Sequence, residues 1–457
     1  VIPESLMSDA SRLEEIRGLI KGGQVEQSLV LLKTYWLEHP DDSEAADLLS
    51  TVMKEAGRSE LSERLSALAK QLPSETEKEE LPALPATPKK QNATDLSHLD
   101  KADKKLGPQE LFEAGFSLID ARQHELAAML LNRCVKMVPD EPVVNYELGF
   151  ALMSLKRFDE AIAYFENAST GGADFDTYLN LSACYTMTRR LDAAIKVLEK
   201  IGELELDEEQ TRELQHRKMV LRRLSILSSK PHLSPRDWMF VLYGSILLRT
   251  QVPKEHSKED AVSIGSTLAI LKGVLEGLRL ESEVVEFFGP QSRPLANALA
   301  ELLEIPVGSY KGDSREERAL LTMTWANDVI GPHESFLENT HRRAMFAYGL
   351  SIDEPLPLVP EIVGTLGYED VMPWDESGRK ITVDAEANIL APSELEKELA
   401  QQTKAILYNA RDIESEPHII HAVQEALDFY MGKEGLLVLA NSKTFPRRCE
   451  YTAEVLF

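Results

Sequence analysis

A chain of 457 residues, 43% apolar and 28% charged, is too long for one ordinary core and is expected to fold as a multidomain globular protein. A formal charge of -26 argues against nucleic-acid binding, because gripping a phosphate backbone requires an excess of Lys and Arg. Cys134, Cys184 and Cys449 are too few and too scattered for a disulfide framework or a zinc knuckle, which points to a reducing, cytoplasmic setting.

No stretch supplies the roughly 18–20 apolar residues that a membrane helix needs, so no membrane is expected. The longest apolar run, WMFVLYGSILL at 238–248, stops at Arg249. The N-terminus lacks a basic-then-apolar leader pattern.

Residues 9–73 read as a helical, repeat-like module. Gly23 and Gly57 lie 34 apart, and Pro40 and Pro73 lie 33 apart. Leu13, Ile16 and Ile20 follow helical spacing, and Gly22-Gly23 interrupts it as a turn does. An unrelated helical bundle is the alternative. Residues 74–107 change character: an acidic run, three prolines within LPALPATP, then a charged stretch poor in bulky apolar groups. Such a composition offers little burial to offset ordering entropy, and the segment reads as a linker tethering two modules.

From 108 the chain repeats itself clearly. Gly115, Gly149 and Ser182 hold one small position, spaced 34 and 33 residues apart. Ala127, Ala161 and Ala194 hold a second, and Leu131, Phe165 and Leu198 a large apolar one. Small residues at two fixed phases let paired helices pack closely and let the pairs stack. Residues 108–201 thereby resemble the tetratricopeptide repeat family. They depart from it at Arg122, Lys156 and Arg189, where glycine is common, and at Ala173, where a closing proline like Pro139 is expected.

The resemblance implies an all-α solenoid whose first helices line a groove. The groove positions would be Phe112, Phe116 and Ile119, then Tyr146, Phe150 and Met153, then Leu179, Ala183 and Met187. The family's carboxylate-clamp members use Lys, Asn and Arg there; apart from Asn180 those are absent. An aromatic, Met-containing groove suits a hydrophobic helix or extended peptide. In repeat number and groove character it is similar to the tetratricopeptide chaperones of type III secretion. Packing of these side chains against the protein's own chain is the alternative.

Residues 202–230 continue as a helix expected to cap the solenoid, so that the solenoid domain spans 108–230. Its cluster Arg217, Lys218, Arg222 and Arg223 reads as a solvated face or an internal counter-charge.

Over 235–457 short apolar runs alternate with amphipathic patterns, which predicts an α/β domain with a largely parallel sheet. The runs are 238–248, 283–289, 319–325, 343–350, 436–441 and 451–457. The stretch 351–393, rich in Pro and acids, reads as an excursion outside the sheet.

Ligands of open α/β sheets sit beyond the strands' carboxyl ends. Ser292 is expected to cap a helix there, with Arg293 beside it, as an anion site; Gly265-Ser266-Thr267 is a second loop-to-helix candidate. Asp328, His333 and His341 concentrate acid–base groups, but Leu337 stands where a metalloprotease helix needs its second His. His418 and His421 are a weaker pair. No recognised phosphate or nucleophile motif is present, so no catalytic residue, metal or cofactor is assigned.

The expected function is an interaction scaffold, adaptor or chaperone-like protein with a protein partner in the groove; a homo-oligomer is compatible with the repeats. The alternative is an enzyme or a nucleotide- or phosphate-binding domain at 235–457, with the repeats recruiting its substrate or partner.

Overall fold

The computed structural model describes residues 9–72, 107–251, 259–289, 291–310, 318–326, 343–351, 359–367, 372–374 and 393–438. The chain divides into two compact units, Val1–Ile201 and Gly202–Phe457.

Among the described residues, the first unit is ten helices paired as five hairpins. They are α1 (Asp9–Lys21) with α2 (Val25–Glu38), α3 (Ser43–Glu55) with α4 (Ser59–Ala69), α5 (Pro108–Asp120) with α6 (His124–Met137), α7 (Pro142–Ser154) with α8 (Phe158–Ala168), and α9 (Phe175–Met187) with α10 (Leu191–Ile201). Pro108 and Pro142 open their helices, where a missing N–H costs nothing. Asp42 and Asp174 cap α3 and α9 through their side chains.

Each hairpin turns on one residue in the left-handed region: Gly23, Gly57, Arg122, Lys156 and Arg189, with φ between 58° and 77°. The departures from glycine noted in the sequence thus keep the glycine conformation. The small positions work as expected. A Cβ on Gly115 would lie 2.7 Å from Leu131 Cγ, and one on Gly149 would lie 3.1 Å from the Phe165 ring.

The stacking is continuous. α4 packs on α5. Arg64 Nη1 donates to the Glu113 carbonyl at 3.2 Å, and Gln71 Nε2 to Glu110 at 3.3 Å. Arg133 of α6 reaches back to the Pro40 carbonyl and to Asp41. Residues 9–72 therefore form two hairpins stacked directly on the third. The helices on either side of the expected linker, α4 and α5, are in contact with each other.

The second unit begins with α11 (Glu208–Ile226) and α12 (Pro235–Tyr243). Within it, Arg223 of α11 donates to the carbonyls of Leu436 and Val241. Arg223 and Arg217 are buried, Arg217 against Glu213, while Lys218 and Arg222 are exposed. The helix expected as a solenoid cap is thus wired into this unit, and half of its basic cluster is internal rather than solvated.

The sheet has six parallel strands among the described residues, in the order β1-β6-β5-β4-β2-β3. They are β1 (Ile246–Leu247), β2 (Val284–Phe287), β3 (Val307–Ser309), β4 (Ala319–Trp325), β5 (Arg343–Ser351) and β6 (Ile362–Gly367). β4 and β6 are buried along their whole length, as strands of an all-parallel sheet are. The crossovers β1-to-β2 and β2-to-β3 run through α13 (Ala261–Gly277) and α14 (Arg293–Leu303). α15 (Ser393–Ile413) packs on both of these helices, and α16 (Pro417–Tyr430) on α13.

Three strand expectations are corrected. Most of 238–248 is α12, whose capping box at Ser234 and Asp237 and αL stop at Gly244 fix a helix; only Ile246 and Leu247 enter the sheet. The supposed excursion 351–393 contains β6, which sits between β1 and β5. Leu436 closes a 3-10 turn rather than a strand, while 439–457 lie outside the described residues.

The outer edge of β1 is closed by side chains. Leu247 N donates to Tyr430 Oη at 2.7 Å. Arg236 donates to the carbonyls of Leu247 and Leu248, and its Nη1 also pairs with Glu425.

Candidate partner-binding face

The first helices of the last three hairpins, α5, α7 and α9, form one layer. Asn180 Nδ2 of α9 donates to Tyr146 Oη of α7 at 3.2 Å, which ties neighbouring hairpins together. Tyr146 also meets Phe165 edge-on, with centroids 5.8 Å apart. Burial and the nearby Asp176, Glu147 and Asp174 push its hydroxyl up to about 12.

The layer leaves aromatic surface open. Phe116 is 39% exposed and stacks on Phe112 at 6.2 Å. Phe112, Ile119, Tyr146, Phe150, Leu179 and Met187 are half-buried. Met153 and Ala183 are buried and belong to the packing between helices. Most of the expected groove positions are therefore part-exposed, and two are buried.

Counting apolar positions missed the carboxylates on this face. α7 turns Val143, Glu147, Phe150 and Ser154 toward one side, at helical spacing. Phe116 and Asp120 hold the corresponding places on α5, and Asp176 and Asn180 on α9. Burial and the neighbouring Asp120 push the Glu147 carboxyl up to about 7. No cation acts on Glu147 among the described residues. The signal was in the sequence: α5, α7 and α9 carry Glu110, Glu113, Asp120, Glu147 and Asp176 and not one Lys or Arg.

The tetratricopeptide repeat family model matches residues 143–170, the α7–α8 hairpin. The chain carries tetratricopeptide repeats. Tetratricopeptide solenoids are protein-interaction scaffolds, and the helical half of this chain is one in that general sense. No curated protein matches the chain. Similar solved structures include pilF of Pseudomonas aeruginosa, 16% identical over 48% of this chain and 83% of that one, with a TM-score of 0.25. MamA of AMB-1 is 18% identical over 44% of this chain and 96% of its own, with a TM-score of 0.24. YrrB, described as a TPR protein with an unusual peptide-binding site, is 15% identical over 45% and 90%, with a TM-score of 0.26. At these scores the likeness carries no part of the assignment, which rests on the repeat geometry and the family match.

The ligand candidates of the second unit fare differently. Ser292 is fully buried in an αR conformation and makes no capping bond to its helix; its Oγ accepts from the Thr324 backbone N–H at 3.1 Å. It joins the start of α14 to the end of β4, so the expected Ser292 cap beside Arg293 does not form. Gly265, Ser266 and Thr267 lie inside α13, not at a loop, and Gly265 faces the backbone of Ala410 and Ile406. His418 and His421 are exposed on α16. Asp328, His333 and His341 lie outside the described residues, as does Cys449. Cys134 and Cys184 are buried, and burial pushes the Cys134 thiol up to about 11. Among the described residues no helix is long and apolar enough to cross a membrane.

Proposed function

We propose that the α5–α7–α9 face binds a protein segment through its aromatic side chains, making the chain an adaptor or chaperone-like scaffold for a hydrophobic helix or extended peptide. The observation that carries this is Phe116, left 39% exposed and stacked on Phe112, in a layer where Tyr146 and Phe150 of the next hairpin are also only half-covered. Scattered apolar residues on a surface are ordinary, but rows of them aligned across stacked helices mark interaction sites. Anchors of this kind enter such a groove at helical or extended spacing.

The test is selection of a displayed 12-residue peptide library on the full chain, followed by Phe116→Ser with Phe150→Ser. Binding of the selected peptides is expected to fall at least tenfold while helicity by circular dichroism stays within a few per cent. Collapse of helicity would show the two rings to be core, and unchanged binding would remove this face as the site.

A further inference from the structure

The chemistry of the face narrows what it accepts. The three first helices supply five acidic side chains and no basic one. The guanidinium groups that approach them from α4 and its N-cap are spent largely on backbone. Arg58 Nη1 contacts the Asp120 carbonyl at 3.5 Å, and Arg64 Nη1 the Glu113 carbonyl at 3.2 Å while its Nη2 pairs with Glu60. Glu147 thus sits half-buried one position after Tyr146 and three before Phe150, on a helix packed against α5, whose last residue Asp120 repels its carboxylate, and no counter-ion acts on it among the described residues. Two like charges that repel each other, one of them partly dehydrated, are unfavourable by themselves; a cation placed between them relieves both the repulsion and the dehydration.

We infer that the occupant of this face is a partner segment carrying Lys or Arg between apolar anchors, with the cation seated between Glu147 and Asp120 and the anchors on Phe116 and Phe150. This deepens the reading above and rests on it. Charge complementarity selects the partner more than it tightens the complex: a neutral or acidic segment of the same shape leaves the two carboxylates repelling each other, or adds a third. A basic side chain suits the position for a second reason. Its long aliphatic stem lies along aromatic surface while its head reaches the carboxylate.

The peptide library already described provides the probe. The expected result is enrichment of sequences with Lys or Arg flanked by Leu, Phe, Met or Trp. Their affinity for the full chain should fall at least tenfold with Glu147→Gln, and separately with Asp120→Asn. Glu199→Gln, the same charge change on exposed α10, should leave it within twofold. Melting of each variant by circular dichroism shows that the fold survives.

Enriched peptides without a cation, lost on Phe116→Ser but indifferent to Glu147→Gln, would keep the groove and overturn the cationic partner. Basic peptides weakened equally by Glu199→Gln would show bulk attraction to an acidic chain and overturn both readings. No enrichment would show a face already covered by the chain itself or by a second copy, and would overturn the partner reading as well.

Discussion

Arg343 of β5 and Glu286 of β2 form an ion pair past the intervening β4, Nε to Oε2 at 2.5 Å, with both side chains fully buried. Arg343 also lies over the Tyr310 ring at 4.9 Å. Removing one member takes away the buried counter-charge of the other. Glu286→Ala or Arg343→Ala is expected to destabilise the second unit by about 3–5 kcal/mol, read as a lower urea midpoint. Glu286→Leu with Arg343→Met should recover most of that loss, since a buried pair is worth little against well-packed apolar groups. Additive losses in the double variant would contradict this account.

The left-handed turns give a second expectation. An L side chain pays about 1–2 kcal/mol for that conformation, partly offset by the roughly 0.4–1 kcal/mol that glycine adds to unfolded-chain freedom. Arg122→Gly and Lys156→Gly should each raise stability, by up to about 1 kcal/mol, in thermal unfolding of the full chain. Arg122→Ala, which keeps the strain, should not.

Glu147 ties stability to pH. Its folded carboxyl is held up at about 7 by burial and Asp120. A raised value means the folded state binds the proton more tightly than the unfolded chain does. The stabilisation from that proton is present below the ordinary carboxylate range and is lost as pH rises through about 7. Glu147→Gln should therefore melt higher than the parent at about pH 8 and alongside it at about pH 5. The difference is expected near 1 kcal/mol, because the site is partly wet. A larger gap at the lower pH would reverse the sign and refute the account.

Trp325 and Gly349 are register partners on β4 and β5, and the indole lies over the glycine: a Cβ on Gly349 would fall 2.4 Å from the ring. Gly349→Ala should cost about 1–3 kcal/mol through overpacking, visible as a quenched or shifted tryptophan signal. Gly349→Ala with Trp325→Leu should restore part of it.

A site-specific protease sequence inserted near residue 90 tests the continuity of the repeats. Because α4 packs on α5, the two pieces are expected to co-elute in gel filtration after cutting, and to separate only in denaturant. Separation in native buffer would restore the picture of two tethered modules.

The parts of the fold that were legible in the sequence are those with a local cause. Repeat spacing and the small positions gave the hairpins, because close helix packing leaves a mark at fixed phases. Two strands, 319–325 and 343–351, matched their apolar runs closely. What failed depended on partners distant in sequence. An apolar stretch such as 238–248 fits a buried helix or a buried strand equally well, and only the Ser234–Asp237 cap decides between them. β6 hid in a segment judged by its prolines and acids, because IVGTLG gains its place from β1 and β5 on either side. On the candidate face the aromatics are legible and Glu147 is not, since a lone carboxylate on a helix reads as solvated until its neighbours are known.

The side chains that close β1 have a consequence for synthesis. Leu247 finds its hydroxyl partner only in Tyr430, 183 residues further along the chain. At about 5–20 residues per second, a ribosome needs roughly 10–40 s to make that stretch. Over that interval the Leu247 amide lacks its partner on α16, and the neighbouring β6 has yet to emerge for much of it. Among the described residues, the first strand made therefore waits for the last α-helix to seal its edge, and the nascent chain passes through a window in which it is open to pairing with other strands.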